Sequence, residues 1–118
     1  MEIYHLTHAA DWDEAQVVDS YEVSTRGATV HQMGFIHCST AAQLPVVARN
    51  VYGSDPAPLV VLVMDDETIR AAGTEVRYEE GGDAGFDELY PHVYGPIDPA
   101  WVTGVRPAAL DDSGALHW

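Results

Sequence analysis

The sequence predicts an α+β domain. Residues 59–64 (LVVLVM) form a continuous apolar run of strand length, the signature of a central strand covered on both faces. Helix signals are confined to the first half, and short strand-like segments dominate the second, so the regular βαβ alternation of a parallel sheet is missing.

Each element has a local reason. Residues 3–7 (IYHLT) are β-prone, and Thr7 is positioned to cap a helix through about residue 18, with Asp11, Asp13 and Glu14 near its positive end. Residues 19–33 keep no period and read as a long irregular loop, a lid candidate. Residues 34–38 read as a strand. Thr40 to Gln43 match a capping box, and the helix that follows ends near Tyr52 and Gly53. Pro45 costs that helix a hydrogen bond or marks its restart. After the central strand, Asp65 or Asp66 caps a short turn through Ala71, closed by Gly73. Residues 74–79 (TEVRYE) alternate as a strand should, and GGDAGFDE reads as a loop. Two more strands are expected at 90–94 and 101–105, separated by Gly95-Pro96 and Asp98-Pro99, with a loosely held tail from Pro107.

The 118 residues are enough for one domain, with its core at about residues 3–107. No apolar run approaches the roughly 18 residues that cross a bilayer, and the start has no basic, signal-like region, so no membrane role and a cytoplasmic location are expected. The lone Cys38 fits a reducing compartment. Nineteen acidic residues face five basic ones, all arginine, for a net charge of -14. Such a surface repels phosphate backbones, so nucleic acid is not an expected partner. The composition is silent on oligomeric state.

Strand alternation groups the chemistry-bearing residues. Phe35, His37 and Ser39 share one face of their strand; Ile3, His5 and Thr7 share another; Tyr90, His92 and Tyr94 share a third. A lone strand histidine is usually a half-buried structural residue, but three on neighbouring strands would meet in one cleft. His8, His31 and His117 fall at a cap, in a loop and in the tail, and read as structural. Cys38 points away from His37, which disfavours a Cys/His nucleophile pair.

IYHLT, GFIHCST before a helix, EVRYE, and LYPHVYGPI before a final strand together resemble the bacterial family known as domain of unknown function 952. The resemblance covers roughly residues 3–107. It implies an ADP-ribosyltransferase-like split β-sheet with two main helices and a cleft that holds NAD in characterised relatives. On this resemblance His5 corresponds to a nucleotide-binding strand residue. His37 and Ser39 correspond to the second motif, around the nicotinamide, and His92 and Tyr94 to the third. Many active transferases carry a glutamate in that third motif; here the acidic candidates are Glu79 and Glu88. His92 and Glu79 are thus the catalytic candidates, and His5, His37, Ser39, Tyr94 and Arg77 the cofactor-binding ones, with Arg77 or Arg49 offsetting pyrophosphate charge. No P-loop or dinucleotide fingerprint is present. The implied function is binding of NAD or a related ADP-ribosyl small molecule, with glycosyl transfer from NAD as the chemistry. The alternatives are a ligand-binding or interaction module without turnover, and a metal site on His5, His37 and His92. That metal site is the weaker of the two, since HxH and HExxH spacings are absent.

Overall fold

A computed structural model describes residues 1–25, 28–53, 55–80 and 88–118. In chain order the elements are β1 (Glu2–His8), α1 (Ala9–Val18), β2 (Val23–Thr25), β3 (Ala28–Thr29), α2 (Val30–Met33), β4 (Ile36–His37), α3 (Leu44–Tyr52), β5 (Leu59–Asp65), α4 (Asp66–Ala71), β6 (Val76–Glu80), β7 (Leu89–Val93), a 3-10 turn (Pro99–Trp101), β8 (Gly104–Leu110) and β9 (Leu116–His117). The fold is α+β, with antiparallel sheets of order β1-β5-β8-β9 and β4-β7-β6 and a small β2-β3 hairpin. A bridge between Tyr4 and Ser39 carries β1 onto the end of β4 and joins the two larger sheets.

The apolar run is the centre of the first sheet because both its faces find partners. Leu62 and Met64 pack with Ile3, Trp12, Ala15, Ile36, Val76 and Val93, on the side of α1 and the three-stranded sheet. Leu59 and Val61 point the other way, against Leu6 and the apolar stripe of α3 formed by Leu44, Ala48 and Tyr52. The period-2 alternation of β5 thus feeds two cores at once, and each buried aliphatic chain contributes about 1.5–3 kcal/mol. Shared strands make this one compact domain.

Several sequence expectations are corrected. Thr7 does not cap α1; β1 runs on through His8, and the Thr7 side chain is buried in the strand. The segment 19–33 is not one irregular loop. It holds β2, β3 and α2, whose N-cap Thr29 makes a full capping box with Gln32. Arg26 and Gly27 of that segment lie outside the described residues, as does most of the expected GGDAGFDE loop. The second helix starts at Leu44, with Pro45 in its first turn, where a missing N–H costs nothing. The strand expected at 101–105 is instead β8, running from Gly104 to Leu110 beside β5. The tail is not loose: β9 pairs with β8, and Trp118 meets the Tyr4 ring edge-on at 5.1 Å. Two further short helices, α2 and α4, accompany the two main ones.

Candidate functional site

The chemistry gathers on one face of the β4-β7-β6 sheet. His37 and His92 are direct partners across β4 and β7, and Arg77 faces His92 from β6. Alternation then places Phe35, Tyr90, Tyr94 and Glu79 on the same side, while Ile36, Val76, Tyr78 and Val93 turn into the core. Gly34, with φ 87°, ends α2 in a left-handed turn that starts the short strand. The glycine of GFIHCST thus serves the turn in the backbone path, and a Cβ there would meet no atom within 4 Å.

His5 lies beneath this face. Its Nδ1 is 2.7 Å from the His37 carbonyl oxygen and its Nε2 is 2.7 Å from the Tyr21 hydroxyl. Burial pushes the His5 pKa down to about 4, so the ring is neutral at pH 7. A carbonyl only accepts, so the proton sits on Nδ1 and the Tyr21 hydroxyl donates to Nε2. The Thr7 hydroxyl, 2.8 Å away, completes the chain. Both nitrogens of His5 are thus used inside the fold.

His37 and His92 differ from His5. Each is buried, and each has an Nε2 without a hydrogen-bond partner among the described residues. Their rings lie 5.1 Å apart; Tyr90 sits 5.0 Å from His37, and Phe35 stacks flat on His92 at 4.0 Å and 9°. Burial pushes His37 down to about 3, with His92 adding to the effect. His92 is also lowered by burial, against the opposing pull of Glu79. The His92 Nδ1 lies 3.1 Å from Glu79 Oε1, and the Tyr94 hydroxyl donates to the same oxygen. The Tyr94 bond, followed by the contact with His92, holds the Glu79 carboxyl below its usual range. Arg77 lies over the Tyr94 ring at 4.6 Å and pairs with Glu75. Ser39 is buried at the β1–β4 bridge, where its backbone pairs with Tyr4.

The description "Protein of unknown function (DUF952)" belongs to the family model that matches residues 6–105. The chain belongs to the DUF952 family. It is similar to the crystal structure of protein CC0527 from Caulobacter crescentus, with 26% identity, a TM-score of 0.80, and coverage of 99% of this chain and 94% of that one. The solution NMR structure of CC0527 gives a TM-score of 0.74 at 26% identity, covering 97% and 90%. No curated protein matches the chain.

In this DUF952 chain, the structure brings His37, His92, Glu79, Tyr94 and Arg77 to one face, with His5 and Ser39 behind it. His5 offers no free nitrogen to a ligand, and among the described residues no group of three or more His, Cys, Asp or Glu side chains is disposed to hold a metal. The three-histidine metal set is therefore not assembled. His8, His31 and His117 pair with Asp55, Glu22 and Asp111, away from the site. Cys38 is fully buried and burial raises its thiol pKa. Sequence reasoning passed over Phe35 and Tyr90 as site residues, although their i, i+2 spacing to His37 and His92 was the available signal. It also missed Tyr21, whose approach to His5 depends on the segment read as a loop. A cleft of about 450 Å³ lined by Gly53, Asp55, Leu59, Leu110 and Asp111 lies elsewhere and contains none of these groups.

Proposed function

We propose that this DUF952 protein binds NAD or a related ADP-ribosyl compound on the His37–His92 face of an ADP-ribosyltransferase-like fold. The observation that carries the reading is the pair of buried Nε2 atoms, without a hydrogen-bond partner among the described residues, beside aromatic rings. A buried polar atom without a partner costs about 1–3 kcal/mol, and a ligand group that satisfies it recovers that cost. A flat ring such as nicotinamide could stack against Phe35 and Tyr94, the half-buried aromatic residues of this face.

NAD fits this donor and acceptor set. His37 and His92 would meet its base or ribose, and Arg77, which lies over the Tyr94 ring, would offset the charge of its pyrophosphate. When bound, NAD supplies a labile bond between nicotinamide and ribose. The chain's part is to hold the ribose by hydrogen bonds, exclude water and orient an acceptor. A binding module without turnover is the second reading, favoured by one observation: Glu79 Oε1 is already engaged by His92 and Tyr94. In both readings the protein serves in the cytoplasm on small molecules, and its charge of -14 disfavours nucleic acid.

Melting of the protein with millimolar NAD, ADP-ribose and nicotinamide tests the proposal. Ligand at 100 times its Kd adds about 2.7 kcal/mol to stability, a readily measured rise in Tm. No shift with any of the three removes the nucleotide reading. Release of nicotinamide from NAD separates a transferase from a binding module.

A further inference from the structure

We propose that Glu79 acts through His92, fixing its imidazole so that Nε2 is a proton acceptor, and that the ligand group met there is a hydroxyl or N–H donor rather than a phosphate or carboxylate oxygen. This deepens the reading above and rests on it only for the ligand's identity. The argument starts from the Glu79 carboxylate. An ionised carboxylate only accepts, so the ring nitrogen 3.1 Å from Oε1 carries the proton, and Nδ1–H is the donor. Burial keeps the ring neutral at pH 7, so Nε2 has a lone pair and no hydrogen. Phe35, stacked at 4.0 Å, blocks rotation of the ring out of this pose. The Tyr94 hydroxyl, bonded to the same Oε1, fixes the carboxylate in turn. Glu79 and Tyr94 are therefore positioning residues, and His92 is the group that meets the ligand. An anionic oxygen brought to Nε2 would face a lone pair, whereas a ribose hydroxyl or a carboxamide N–H would give it the hydrogen bond that no described residue makes.

The tautomer is read directly by NMR of protein labelled with nitrogen-15 at its histidine rings, at pH 7. The expected spectrum shows His92 neutral, protonated at Nδ1 and bare at Nε2. In Glu79→Ala the Nδ1–H preference is lost and the opposite tautomer or a mixture appears. Tyr94→Phe keeps the wild-type tautomer, because the carboxylate remains. The Glu79 side chain is partly exposed, so its removal leaves the core packing in place. A wild-type His92 protonated at Nε2, an Ala variant with an unchanged tautomer, or movement of the Nε2 resonance on adding inorganic phosphate each overturns the proposal. Titrating NAD into the same sample separates the two ideas. If NAD moves neither the histidine signals nor the Tm, the nucleotide reading fails while the tautomer result stands.

Discussion

Acid should unfold this protein through its buried histidines. The His5 ring is fully enclosed and its pKa is lowered to about 4, against the ordinary 6.5 that the unfolded chain displays. The unfolded state therefore takes up a proton first as pH falls, and stability rises with pH across this window. The contribution is complete above about pH 6.5, declines below it, and levels off under the folded value near 4. At pH 5 the loss from His5 alone is about 2 kcal/mol by linkage. His37, lowered to about 3 by burial and by His92, acts in the same direction and extends the window downward. A domain of this size has roughly 5–15 kcal/mol to lose, so two such groups are a large share. Relief of repulsion among 19 acidic groups works the other way, since protonating them reduces a charge of -14. Urea unfolding followed by tryptophan fluorescence from pH 8 to 4.5 measures the balance. The expected result is a midpoint that falls steeply below pH 6.5, with a shallower fall in His5→Gln after allowance for its lower starting stability. A flat profile between pH 7 and 5, or an identical slope in the variant, would refute the reasoning.

Other expectations concern single side chains. Leu62→Ala removes a fully buried chain from the central strand and should cost about 2–5 kcal/mol in chemical denaturation. Thr29→Ala breaks the capping box of α2 and should cost about 1 kcal/mol, with Thr29→Asp recovering most of it. Gly34→Ala meets no atom within 4 Å, so its loss of about 1 kcal/mol comes from the left-handed backbone alone; Gly34→Asn should be milder. Cys38, buried and with its thiol pKa raised, should resist thiol reagents in the native protein and react at the rate of unfolding.

What the sequence made legible was local. The run 59–64 announced β5 because no other placement satisfies an unbroken apolar strand, and Asp65 does cap α4 by accepting from the Glu67 N–H at 2.8 Å. The alternation of residues 35–37 and 90–94 marked the faces that carry His37 and His92. Pairing was not legible: nothing in GFIHCST says that His37 meets His92 in register, or that His5 turns both nitrogens inward. Glu79 stood out only as an acidic residue near the third motif, and only the cross-strand neighbours show that it contacts His92. The strand β8 was misplaced because the residues from Pro107 read as a loose tail, yet on its strand the proline stands opposite Val60, a position compatible with β structure.

The order β1-β5-β8-β9 also governs how the chain must assemble. β5 lies beside β1, about sixty residues earlier in the sequence, and beside β8, about forty residues later. These pairings are non-local, and closing such long loops before any contact rewards them is slow, which puts folding in the range of milliseconds or longer. During synthesis the most apolar segment emerges with one neighbour already available and the other still to be made. Until residues 104–110 leave the ribosome, that strand has an open, sticky edge, and dispersed carboxylates repelling one chain from another are its protection against aggregation in the interval.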